Sequence, residues 1–176
     1  MEQIKYEQRT CQDTDRTIRF LEEERVGVLG LFGEGYPYAV PVNYVWLDGC
    51  VYFHGSGGGK KIRLLAANPN VTFTVFREHG TVTDPVPCHV DTAYFSVMLF
   101  GQAKRVTDFT EAAEALQAIL DKLTPGFYQQ KIKPAVAEKY KSGVDGLPVA
   151  VYRIRPEHVT AKENQVDAAQ LFASAR

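Results

Sequence analysis

The stretch from Tyr36 to Leu47 constrains the fold more than any other part of the chain. Its even positions, Tyr36, Tyr38, Val40, Val42, Tyr44 and Trp46, are all apolar or aromatic. Its odd positions are Pro37, Ala39, Pro41, Asn43, Val45 and Leu47. A repeat of two marks a strand with one buried face, because successive side chains of extended backbone point to opposite sides. Two prolines on the odd set predict an edge, a bend or a bulge. Asp48-Gly49 then supplies a tight turn, and Cys50 to His54 reads as the returning strand of a hairpin.

Further strands are predicted over Val26–Leu31, Val71–Arg77, Thr92–Val106 and Leu147–Ile154. Helical spacing appears in Thr14–Arg25, with Thr14 as N-cap and Ile18, Phe20 and Leu21 as the apolar stripe. It recurs in Lys60–Ala67, with Ile62, Leu65 and Ala66 on one side, and in Thr110–Leu123. Asn68-Pro69 stops the second helix. His79–Asp91, with Pro85 and Pro87, reads as an irregular loop, Pro125–Gly146 as mixed, and the residues after Glu163 as a polar, helix-prone tail. Six strands joined mostly by short turns give a mainly β fold with peripheral helices, a six-stranded antiparallel barrel. At 176 residues there is room for one core. The divisions are an N-terminal arm over 1–13, one domain over 14–165 and a tail over 166–176.

Twenty Lys and Arg against 21 Asp and Glu leave a net charge of −1, which argues against a globally basic nucleic-acid binder. Cys11, Cys50 and Cys88 form no C-x-x-C pair and no disulfide framework. The polar N-terminus lacks an apolar signal region and no apolar run has the length of a membrane span, so the expectation is a cytoplasmic protein without membrane or nucleic-acid partners.

Chemistry concentrates at His54-Gly55-Ser56-Gly57-Gly58-Gly59-Lys60-Lys61. Nine of the 14 glycines fall between Gly27 and Gly59. From Val26 to Arg77 the acids are Glu34 and Asp48, against Lys60, Lys61, Arg63 and Arg77. Two cations opening a helix work against its dipole, and an anion there reverses the conflict. One reading is therefore a phosphate site; the other is a flexible loop followed by solvated lysines. A triphosphate P-loop is excluded, since His54 and Lys61 stand where that motif needs Gly and Ser or Thr. Gly57-Gly58-Gly59 follows a hairpin, unlike a dinucleotide fingerprint. The four histidines share no metal-ligand spacing, so no metal is expected, and no Gly-x-Ser-x-Gly elbow occurs. His54 is the one histidine beside the loop, either a proton donor or a structural residue at a strand end.

Taken together, these pieces resemble the FMN-binding split-barrel family related to pyridoxamine 5′-phosphate oxidase, and most closely its 5-nitroimidazole-resistance branch. The resemblance rests on Tyr38–Tyr44, Asp48–His54, Gly59-Lys60-Lys61, Asn68-Pro69, Ser96–Gly101 and Ala161-Lys162-Glu163-Asn164, in that order. It implies a homodimeric split barrel with FMN at the dimer interface, acting as an oxidoreductase. The acceptor would be a small flat molecule such as a nitroaromatic and the electron donor NADH or NADPH. A haem- or flavin-binding protein without turnover is the alternative on the same fold. By the same resemblance Val40, Pro41, Val42 and Asn43 line the flavin ring. His54, Gly55, Ser56 and Gly59 flank the ribityl and phosphate, Lys60 and Lys61 pair with the phosphate, and Ser96 and Lys162 are further contacts. The oxidase carries Arg-Lys where this chain has Lys60-Lys61, which keeps the charge but loses the bidentate fork.

Overall fold

The computed structural model describes residues 5–173. Six strands form a closed antiparallel barrel in the order β1-β2-β3-β6-β5-β4. They are β1 (Val26–Leu31), β2 (Tyr38–Leu47), β3 (Cys50–Ser56), β4 (Asn70–Val82), β5 (Asp91–Arg105) and β6 (Val149–Asn164). The helices are α1 (Thr14–Glu23), α2 (Lys60–Ala67), α3 (Phe109–Leu123) and the single turn α4 (Pro134–Ala137).

Alternation places Leu29, Val42, Tyr44, Val51, Phe53, Phe73, Val75, Phe95, Val97, Leu99 and Ile154 inside the barrel. Burying such side chains contributes about 1.5–3 kcal/mol each before conformational entropy is counted. A second apolar cluster lies outside, where α3 covers Val45, Cys50, Tyr52 and Val151. Glu111 of α3 accepts from Tyr52 Oη at 2.9 Å and from Arg153 Nη1 at 2.8 Å, tying the helix to β3 and β6. Among the described residues no α-helix covers the opposite outer face, which includes the row Pro41–Val28–Thr74–Met98–Thr160, read strand to strand. Beside it Val26 is 50% exposed and Phe76 62%.

Several boundaries differ from the sequence-based expectation. Asp13, not Thr14, caps α1, its carboxylate accepting from Arg16 N at 2.9 Å. Tyr36 lies outside β2 and is 82% exposed, because the turn after β1 extends through it. Leu64, not Ala66, joins Leu65 in the core from α2. Strand β4 continues past His79 to Val82, its ladder with β5 re-registered by an irregularity between Glu78 and Gly80. Strand β6 runs to Asn164 instead of stopping at Ile154, held by pairing along β5. Among the described residues no helix is long and apolar enough to cross a membrane.

Candidate functional site

The β2–β3 ladder ends early. Pairing runs from Leu47↔Cys50 to Tyr44↔Phe53 and stops. Beyond that point β2 keeps only its pairing with β1, through Tyr38–Asn43, and β3 keeps only its pairing with β6, which begins at Val51 and continues through His54–Ser56. The two strands therefore part, and the facing edges of 38–43 and 54–56 border a split. The glycine loop and α2 follow directly from the β3 side.

The start of α2 carries two cations and no acid, and no side chain caps it. Gly59, the N-cap, has φ 89°, the left-handed region that favours glycine, and the space around its missing Cβ is open. Lys60 Nζ lies 4.8 Å from the centre of the Tyr38 ring, across the split on β2. Lys61 Nζ lies 5.6 Å from the Phe53 ring, and a Cβ built on Gly55 would stand 2.9 Å from it. Neither lysine forms an ion pair among the described residues; nearby Glu34 pairs instead with Arg63 at 3.3 Å. Burial lowers the Lys61 pKa.

By strand parity His54 follows Cys50 and Tyr52 onto the outer face of β3. Its Nδ1 is buried and has no hydrogen-bond partner. Burial lowers its pKa, and the positive charge of Lys61 lowers it further. The neutral imidazole has one N–H to donate. Ser56 Oγ donates to Asp145 Oδ2 at 2.6 Å and accepts from Gly58 N at 3.3 Å. Gly57 N donates to Pro148 O at 2.8 Å. Residues 145–148 thus brace the glycine loop from outside.

The split accordingly brings together Val40, Pro41, Val42, Asn43, His54, Gly55, Gly59, Lys60 and Lys61. Their side chains do not all face it. Val42 points into the barrel core, whereas Pro41 and Asn43 are exposed on the outer face. Ser96 and Lys162 are paired with each other on β5 and β6, away from the split. Lys162 Nζ donates to Lys5 O at 2.9 Å. Sequence reasoning missed Tyr38 as the partner of Lys60, and Asp145 as that of Ser56. Asp145 is 89 positions away and carries no local signal. Tyr38 was visible only as a core-facing aromatic.

Two of these features fit a phosphate-bearing cofactor: the ammonium groups of Lys60 and Lys61, neither in an ion pair among the described residues, and the open glycine cap of α2. No curated protein matches the sequence. Solved structures do. Flavocytochrome Anf3 from Azotobacter vinelandii superposes with TM-score 0.78 at 21% identity, covering 96% of this chain and 77% of that one. An FAD and haem binding protein from Mycobacterium smegmatis gives 0.72 at 21%, covering 92% and 77%. A candidate 5-nitroimidazole antibiotic resistance protein from Bacteroides thetaiotaomicron gives 0.65 at 23%, covering 87% and 85%. The family model described as pyridoxamine 5′-phosphate oxidase matches residues 13–163, nearly the whole barrel, and the chain belongs to that family.

Proposed function

We propose that this protein is an FMN-dependent oxidoreductase that reduces small flat acceptors such as nitroaromatics and works as a cytoplasmic homodimer. The observation that carries the reading is the unpaired Lys60–Lys61 cation pair at the mouth of the split. Lys60 is exposed and feels the charge of Glu34, whereas Lys61 is half-buried and forms no ion pair among the described residues, and a half-buried ammonium is costly unless an anion meets it. Bound flavin supplies the redox chemistry, taking electrons from a donor such as NADH or NADPH and passing them on. The protein's part is to bind and orient. Lys60 and Lys61 take the phosphate, the free edge of Val40–Asn43 offers backbone groups to the ring, and His54 holds a proton beside the ribityl end.

The bare outer face supports the dimer. Val26, Phe76 and Met98 are exposed apolar groups on one outer face of the barrel. Ser96 and Lys162 stand on that same face, so a second copy seated on it would carry them toward the split of the first.

Purified protein should bind FMN with bands at roughly 370 and 450 nm, the latter bleached by NADH or NADPH. Lys60→Ala with Lys61→Ala should weaken FMN by roughly a hundredfold or more, since each lost charge-assisted contact costs about 1.5 kcal/mol or more. Unchanged affinity in that double variant would remove the phosphate assignment. The second reading, haem binding, draws on the unpartnered His54 Nδ1. A Soret band on haem addition, lost in His54→Ala, would favour it.

A further inference from the structure

The outer face of β5 and β6 changes character at one register shift. Pairing is one to one from Ser96↔Lys162 to Phe100↔His158, after which Gly101 faces Pro156. Glu157 is therefore an extra residue with no partner on β5. A bulge of this kind bends its strand and re-aims a side chain. Here it sets Glu157 between two adjoining hollows, since the residue lines both.

The hollows differ in chemistry. The first is a cavity of about 740 Å³ with Phe32, Tyr36, Tyr38 and Phe100 in its walls. Phe32 is 64% exposed at its mouth. Glu157 is its only charged lining residue among the described residues. The second is smaller, about 230 Å³, and is lined by Gln102, Lys104, Arg153 and Arg155 as well as Glu157. Lys104 and Arg153 are direct cross-strand partners of like charge, an unfavourable arrangement. Arg153 is answered by Glu111 at 2.8 Å. Lys104 and Arg155 form no ion pair among the described residues and are exposed.

We propose that the two hollows together bind a small aromatic anion. The ring lies in the aromatic cavity, and a carboxylate or phosphate ester reaches Lys104 and Arg155. Glu157 accepts a hydrogen bond from a donor on the ring. The strand spacing fits, because Arg155 and Glu157 are two residues apart, about 7 Å along β6. Arg155 offers the planar fork that carboxylate and phosphate match. The site adjoins the split, since Tyr38 lines this cavity and also meets Lys60. It uses neither Lys60 nor Lys61, and its floor of Ala39, Gly30, Thr72 and Phe100 is the next cross-strand row of the face on which the proposed second copy sits.

The test is fluorine NMR on the whole protein, without and with FMN. Its probes are 4-fluorophenylacetate, 4-fluorophenyl phosphate, the neutral 4-fluorophenylacetamide and the cationic 4-fluorobenzylamine. Both anions should bind about tenfold more tightly than the amide, the size expected of one or two partly exposed charge contacts. The ratio of phosphate to carboxylate affinity tells which anionic group the site prefers. Lys104→Ala with Arg155→Ala should abolish the anion preference while leaving the amide unchanged. Glu157→Gln should tighten both anions, and binding should persist in Lys60→Ala with Lys61→Ala. Equal affinity for acid and amide, preference for the amine, or no binding of any probe at millimolar concentration would each overturn the proposal. Anion preference retained in the Lys104/Arg155 double variant, or lost in the Lys60/Lys61 one, would also overturn it.

Discussion

Lys61 lies against Gly55: its ammonium occupies the space that a Cβ on Gly55 would need, 2.9 Å away. The lysine is held there by packing over Phe53 and not by a counter-charge. Gly55→Ala should therefore displace Lys61 at little cost to the fold, because the far end of a flexible side chain can move. We expect FMN affinity to fall about tenfold, with the melting temperature nearly unchanged, by flavin absorbance titration and thermal unfolding. Full retention of affinity would mean that Lys61 does not need this position.

Acid should destabilise the protein through His54. Its folded pKa lies below the ordinary 6.5, from burial first and Lys61 second. The unfolded chain then holds more protons in the window below 6.5, so stability falls as pH drops through it. An anion beside Lys61 offsets that charge and raises the His54 pKa. The His54 ring titration by NMR should show a midpoint below 6.5 that moves up when inorganic phosphate is added. A free-protein midpoint at or above 6.5 would contradict the buried, uncompensated environment.

The carbonyl of Leu21 accepts two hydrogen bonds, from Tyr44 Oη at 2.8 Å and from Lys122 Nζ at 3.2 Å. Tyr44→Phe should cost about 1–2 kcal/mol in urea unfolding. Burial lowers the Lys122 pKa to about 8. Between about 8 and the unfolded value of 10.5 the unfolded chain holds the extra proton, so this residue makes stability rise with pH there. Burial raises the Tyr44 pKa well above its ordinary 10.0, so that residue makes stability fall above about pH 10. Urea midpoints at pH 7.5, 8.5 and 9.5 should show the Lys122 rise in the parent and not in Lys122→Met.

Met98 sits in the middle of the bare row between Thr74 and Thr160 and is 39% exposed. Met98→Lys should leave the barrel folded by circular dichroism and shift the mass by light scattering from two chains to one. FMN affinity should drop in parallel, since the partner's Ser96 and Lys162 are then withdrawn. A parent that is already monomeric at micromolar concentration would remove the dimer.

Local pattern carried the paired part of the hairpin: the alternation from Tyr44 through Trp46, the Asp48-Gly49 turn and the return through Phe53 all lie where the residues predict. Lys60 and Lys61, the cations of the candidate site, stand out in the chain because they follow a glycine run in a stretch poor in acids. What the chain concealed was non-local. Pro156 should break a strand by local rules, yet β6 passes through it because the bulge lets Pro156 face Gly101. Strand β4 likewise outlasts Gly80, which takes φ 138°, because β5 supplies partners up to Asp91. The pairing of Ser56 with Asp145 depends on the end of β3 meeting a distant loop, which no periodicity encodes.

The early end of the β2–β3 ladder at Tyr44↔Phe53 has a consequence for amide exchange. A molecule entering the split breaks no interstrand hydrogen bond between these two strands. Loading should therefore leave exchange at the paired residues Tyr44–Leu47 and Cys50–Phe53 unchanged, and add protection only at the free edges of Val40–Asn43 and His54–Ser56. A cofactor held in the proposed site would then enter and leave without loosening the Tyr44–Phe53 hairpin.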